Sequence, residues 1–360
     1  MMKQRKMRIL SFLLVLVMAL PLVTSCAGVN KKAAVSFQGE EINCATFQYL
    51  CSLKKTSYLY EAYGVSEGSV SSSELQDNAA IWTAKAEDGS TVADTLKSEV
   101  LDEVKLFLYM AKYAKDQGFT LGDKEKKLVK QQFDKAVSNY GDKKSFNREM
   151  KRYGINYDQM LAYNYFQTLA YQGLELLFGE NGSRRITDES VEKYFKDHYA
   201  TTLCIFINTK DKTYPNGKVV GLPQDEKEAK LSLAESVYQK ALAGEDFASL
   251  VTAYSDTGSE GETAANGYTF RQGGFVNSKA EEKVFQMKTG EIARVDTDGG
   301  VYILCRKALN TDFFDSAKQS IRTELEEVKK YALVSDVDKD FKVNTDFLNT
   351  LDIAAIPHVV

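Results

Sequence analysis

The sequence predicts an α+β protein, a mostly helical chain with a small mixed unit inserted late. Three observations carry this. From Thr91 to Phe178 apolar residues recur at helical spacing between helix starts and stops. Between about 200 and 308 the order changes to strand, two helices, a short helix and two strands, which makes a small mixed domain. A last helix, about Phe314 to Leu333, then restores the helical pattern.

The 360 residues are 44% hydrophobic, enough for two or three structural units with a real core. "MMKQRKMRIL" is a basic start, and "ILSFLLVLVMALPL" is an apolar run too short and too terminal for an ordinary membrane span. "LVTSC", Leu22 to Cys26, resembles a bacterial lipobox, with apolar residues and a small residue leading to a cysteine. That resemblance implies a signal peptide over 1–25, a lipidated Cys26 as mature N-terminus and a tether over 26–36. Cutting there removes Lys3, Arg5, Lys6 and Arg8 and leaves 42 basic against 50 acidic residues, a net charge of −8. A mildly acidic body argues against nucleic acid as a partner.

The elements follow in order. "VSFQGEEINCATFQYL" reads as a small strand or turn and then a helix. A polar loop runs to Trp82, which is expected as a packing anchor. Thr91 and Asp94 form a capping box for a long helix that stops at Gly118. Helices of about 123–140 and up to 153 end at Gly141 and Gly154. A fourth, "YDQMLAYNYFQTLAYQGLELLF", is rich in Tyr and Phe; its aromatic face is expected to be bundle core, with a peptide-binding surface as the alternative. Thr187 caps "DESVEKYFKDHY". "TTLCIFIN", Thr201 to Asn208, is a buried strand. An amphipathic helix, a break at Gly244 and a shorter helix follow, then a polar, Gly-rich loop of about 19 residues, which is long for a compact domain. "EEKVF" is a short helix, and "GEIARVDTDGGVYILCRKA" is a hairpin.

Cysteine and histidine bound the chemistry. After Cys26 there are Cys44, Cys51, Cys204 and Cys305, and the only histidines are His198 and His358. No zinc spacing and no Ser-His-Asp triad can be assembled from these, so neither metal nor cofactor is expected. Cys44 and Cys51 lie two helical turns apart, about 10 Å, too far for a disulfide.

Several of these stretches resemble a parvulin domain: "TTLCIFI", "AESVYQKALAGEDFASLVTAYSD", "NG" before the central loop, "EEKVFQMKTGEI" and "GGVYILCRKA". With the lipobox and the flanking helices, the whole chain resembles PrsA-type foldase lipoproteins with a PpiC-like unit. The resemblance implies a SurA/PrsA-like helical chaperone region over 37–199, a parvulin-like domain with an antiparallel sheet over 200–308, and a C-terminal helix and tail over 309–360 packing on the helical region. It also implies a location on the outer face of the cytoplasmic membrane and a role in folding newly exported polypeptides. Prolyl isomerisation would be the activity. That reaction needs no nucleophile, only tighter binding of the twisted amide than of either planar form.

The residues at the family's site positions differ from the family's usual ones. The two strand histidines align with Cys204 and Tyr302, and the usual Cys or Asp aligns with Thr257. The Met and Phe pocket positions fall near Val276 and Ala280, counted back from Phe285. His198 lies six residues before Cys204, on the wrong element to substitute. Cys204 is expected as a core or network thiol, and Cys305 faces the other side of its strand from Tyr302. Three readings follow: a membrane-tethered foldase with isomerase activity, a non-catalytic holdase on the same scaffold, and, with least support, a solute-binding lipoprotein. A homodimer through the helical part is a further expectation.

Overall fold

The computed structural model describes residues 32–359 apart from 68, 86–87, 214–216 and 257–265. The expected signal peptide, Cys26 and Thr257 lie outside the described residues. The chain divides into two compact units: the first runs up to Arg185 and resumes at Glu326, and the second is Ile186–Leu325. No helix among the described residues is long and apolar enough to cross a membrane.

The first unit opens with β1 (Ala33–Phe37) and β2 (Glu40–Asn43), an antiparallel hairpin. Its two turn residues, Gln38 and Gly39, both have positive φ, which matches the right-handed twist of the strands. Asn43 then caps α1 (Cys44–Ala62) by accepting from the Thr46 N–H at 2.9 Å. The predicted Thr91–Asp94 capping box starts α3 (Val92–Asp116), after the short α2 (Ala79–Thr83). Next come α4 (Asp123–Val137), α5 (Lys143–Met150) and α6 (Tyr157–Phe178). A Cβ at Gly173 of α6 would stand 2.1 Å from the Met110 carbonyl of α3, so glycine is what lets these two helices touch backbone to backbone.

The aromatic helix α6 is core only in part. Tyr157, Tyr163, Leu177 and Phe178 are buried, whereas Tyr165, Phe166 and Leu169 are half-buried and Tyr171 is exposed. The last segment holds more structure than a polar tail. β9 (Phe341–Val343) pairs with β1, Phe341 stacks on Phe37 at 4.4 Å, and α12 (Thr345–Thr350) follows.

That tail is held by one buried lysine. Lys55 of α1 is fully buried and donates to the carbonyls of Ile353 and Ile356, both at 2.7 Å. Its ammonium pairs with Asp77 at 2.6 Å and lies over the Trp82 ring. Asp77 also accepts from the Trp82 indole N–H at 2.7 Å. Trp82 is thus the packing anchor the sequence suggests, with its one polar atom satisfied.

The second unit is built on a four-stranded antiparallel sheet of order β6-β3-β8-β7. Its strands are β3 (Tyr199–Asn208), β6 (Tyr268–Arg271), β7 (Ile292–Asp296) and β8 (Gly300–Lys307). The edge strand β6 falls within the stretch read from sequence as loop, and β4 (Asp211–Thr213) with β5 (Val219–Gly221) adds a small ribbon. Alternation gives the sheet two apolar faces. Leu203, Ile205, Ile207, Val301 and Ile303 point to one, covered by α8 (Gln224–Leu242) and α9 (Phe247–Tyr254). Cys204, Phe206, Tyr302 and Leu304 point to the other, where α10 (Ser278–Gln286) packs. At one end α7 (Asp188–His198) packs against the first part of α11 (Thr311–Asp336) through Phe195, Phe314 and Ile321.

Candidate functional site

The face under α10 is where most of the sequence-predicted site residues meet. Antiparallel register sets Cys204 opposite Leu304 and Phe206 opposite Tyr302, so Cys204 and Tyr302 share one side of the sheet. Cys305 packs with the opposite cluster. All four described cysteines are free thiols.

Around Cys204 stands an aromatic surface. The Tyr302 ring lies 4.6 Å from Phe206 and 6.2 Å from Phe275. Phe270 packs on Phe275 at 4.8 Å and meets Phe285 edge-on at 5.9 Å. Phe206, Phe275 and Phe285 are only partly buried, so the cluster presents ring surface to solvent. Ala280 is fully buried beneath it, with Val284 and Met287 alongside. Val276 is 84% exposed and is not part of the cluster; its neighbour Phe275 turns inward instead.

Phe275 is aimed by a residue the sequence reading missed. Glu281, on the first turn of α10, accepts from the backbone N–H groups of Gly273 and Phe275, at 2.7 and 2.8 Å. The carboxylate thereby folds the turn between β6 and α10 back over the sheet. Phe206 was missed too, although its alternation with Ile205 and Ile207 on a strand places it beside Cys204. On the other flank, Ser255 and Asp256 are stitched to β3. The Phe206 N–H donates to Ser255 Oγ at 3.1 Å, and the Asp256 N–H to the Phe206 carbonyl at 2.7 Å.

The electrostatics are those of neutral groups in an apolar setting. Burial pushes the Cys204 thiol up to about 12, so it stays protonated at neutral pH and is no nucleophile. Burial and then the neighbouring Cys204 push the Tyr302 phenol up as well. The Tyr302 hydroxyl makes no hydrogen bond among the described residues and is not sealed from water. It is a neutral donor on a largely buried residue of the ring cluster. His198 ends α7, with its ring 4.2 Å from Tyr194; six residues of strand, about 20 Å, separate it from Cys204. No group of three or more His, Cys, Asp or Glu among the described residues is placed to share a metal ion.

Such a surface can hold an apolar ring and an adjoining amide; its described residues include no nucleophile with which to attack them. Residues 193–307 match the PPIC-type PPIASE domain family, so the second unit carries a domain of that kind. Over a longer stretch the chain is similar to the foldase protein PrsA of Caldanaerobacter subterraneus, with 26% identity over 71% of each chain. It is also similar to the foldase protein PrsA of Staphylococcus aureus, with 27% identity over 77% of this chain and 78% of that one. A crystal structure of PrsA from Bacillus cereus aligns with 75% of this chain and 91% of that one, at 17% identity and a TM-score of 0.32. The domain match and the two curated relatives support a PrsA-type parvulin foldase.

Proposed function

We propose that the protein is an extracytoplasmic folding factor, anchored by lipid on Cys26 to the outer face of the cytoplasmic membrane, that holds exported polypeptides and turns their X-Pro bonds. The observation that carries the isomerase part is the partly open aromatic face of Phe206, Phe275, Phe285 and Tyr302 around a protonated Cys204. The rings seat the pyrrolidine by apolar contact and displace water from the amide. A twisted amide has lost its resonance and is less polar than a planar one, so a dry, weakly polar surface favours it. The Tyr302 hydroxyl donates to the carbonyl or the pyramidal nitrogen as the bond turns. No proton is transferred, and no covalent bond forms or breaks.

The test is prolyl isomerisation on a panel of X-Pro peptides with the soluble chain from residue 27 onward. Turnover that falls roughly tenfold in Phe206→Ala, and less in Tyr302→Phe, supports an isomerase in which ring contact outweighs the hydroxyl. Turnover at background on every peptide overturns the isomerase reading and leaves the holdase, which is scored separately by suppression of aggregation of a client without proline.

A further inference from the structure

Charge is unevenly placed along the chain. Residues 123–152 hold ten basic and five acidic residues, whereas the rest of the chain from Cys26 onward holds 32 basic and 45 acidic ones. The basic stretch runs through α4 and α5. α4 buries Val129, Phe133 and Val137, and α5 buries Phe146 and Met150. Phe133, Val137, Phe146 and Met150 enter one shared cluster, so both helices turn their other faces away from the same core. Helical spacing fills those faces with cations. On α4 the outward row is Lys124, Lys127, Leu128, Gln131 and Lys135; on α5 it is Lys144, Arg148 and Lys151. All eight residues are exposed, and neither row contains an acid.

The rows lack counter-charges of their own. Lys130 pairs with Asp134 and Lys143 with Asp158, but none of the six outward Lys and Arg makes a salt bridge among the described residues. Like charges three and four residues apart repel along each row, and an anionic surface facing them relieves that repulsion. Leu128 stands exposed among three lysines, a mixture of apolar and basic residues that suits a headgroup boundary.

The anchor emerges beside this surface. The Lys32 carbonyl accepts from the Cys44 N–H at the start of α1, at 2.9 Å. One turn further along α1, about 6 Å, the Gln48 side-chain amide donates to the Tyr153 carbonyl, just past α5, at 3.4 Å. The chain therefore enters the first unit next to the end of the α5 row. Cys26 lies six residues before Lys32, about 20 Å at full extension. A lipid on Cys26 keeps this end of the unit within reach of the bilayer, and the surface it meets there is the bilayer's own headgroups.

We propose that the outer faces of α4 and α5 rest on the anionic headgroups of the membrane that holds Cys26. This rests on the lipid-anchored reading and adds what the anchor leaves open: the lipid fixes position, and the basic face fixes which side of the unit looks at the membrane. The attraction is electrostatic, needs no single lipid and fades with salt.

The test uses the soluble chain from residue 27 onward, which carries no lipid. It is co-sedimented with vesicles of phosphatidylcholine alone or of equal parts phosphatidylcholine and phosphatidylglycerol. We expect binding at low salt to be at least roughly tenfold tighter to the anionic vesicles, with the gain lost at molar salt. Changing Lys144→Gln, Arg148→Gln and Lys151→Gln together should remove most of that gain, as should Lys124→Gln, Lys127→Gln and Lys135→Gln together. Lys193→Gln, Lys196→Gln and Lys318→Gln, an equal loss of charge from the second unit, should preserve it. Unaltered Trp82 emission shows that each variant of the first unit is folded. Equal binding to both vesicles, or a gain that survives both triple changes, overturns the inference. So does a need for the two rows in capturing an acidic unstructured peptide but not vesicles, which assigns them to clients. Acylation of Cys26 is scored separately, by mass spectrometry of the mature N-terminus from cells. An unmodified Cys26 overturns the lipid-anchored reading; failure of vesicle binding with Cys26 acylated overturns only the inference.

Discussion

Replacing Asp77 by Asn is the sharpest probe of how the first unit holds its last residues. The Lys55 ammonium is fully buried, with the carbonyls of Ile353 and Ile356 at 2.7 Å and Asp77 at 2.6 Å. Asn keeps the size of the side chain and an acceptor oxygen, so the change removes charge and little else. Stripping one partner from a buried pair costs about 3–5 kcal/mol, because the other charge is left uncompensated. The Asp77 side chain is 21% exposed and the carbonyls continue to solvate the ammonium, which places the expected loss near the lower end, about 3 kcal/mol. For a unit of this size that is a fall of roughly 6–12 °C in Tm. The chain has a single tryptophan, Trp82, and it packs against Lys55, so its fluorescence during a urea or thermal melt reports on this unit alone. A loss below about 1 kcal/mol in Asp77→Asn would show that the carbonyls alone carry the ammonium and would refute the ion-pair reasoning.

Acid should act on the same network. Burial pushes the Asp77 carboxyl up, but hydrogen bonds from His358, Lys55 and Trp82 outweigh it and hold it down at about 2. The native state therefore binds this proton less readily than the unfolded chain. The stabilisation is complete above pH 4 and drains away towards pH 2, by about 2 kcal/mol on the Trp82 signal. Gly173→Ala should cost about 1–3 kcal/mol in the same melt, since the new methyl meets the Met110 backbone, which cannot swing aside. Glu281→Ala should release the Gly273 and Phe275 N–H groups, cost about 2 kcal/mol in the second unit and reduce peptide turnover, as judged by melting and the isomerase assay. Cys204 and Cys51, both pushed up to about 12 by burial, should resist alkylation at pH 8 until the chain is unfolded, and mass spectrometry would count the labels.

The helical elements were legible because their signals are local. The Thr91–Asp94 box and the Gly118, Gly141 and Gly154 stops are read from a few adjacent residues, and the structure places helix ends there. The opposite facing of Cys204 and Cys305 follows from alternation and a hairpin register. What escaped depends on distant partners. β6 and β9 are four and three residues long, and they are strands only because β3 and β1 offer free edges. The inward turn of Phe275 is fixed by a carboxylate six residues on that reads, in sequence, as an ordinary charge at a helix start. The whole of α6 was read as core, though only part of it is, because periodicity reports which residues are apolar; whether a second layer covers them is set elsewhere in the chain.

The pairing of β1 with β9 sets the order in which this chain can mature. Val35 has Val343 as its strand partner, while the second unit is complete within Ile186–Leu325. A polypeptide threaded out of the cell N-terminus first can finish the inserted unit while its own opening strand, paired with β2 on one edge, still lacks β9 on the other. Until Phe341 emerges, Phe37 has only the tilted Tyr109 ring beside it, and Lys55 waits longer still for the carbonyls of Ile353 and Ile356. During that interval the nascent folding factor exposes a free strand edge and an apolar surface of the kind its clients expose.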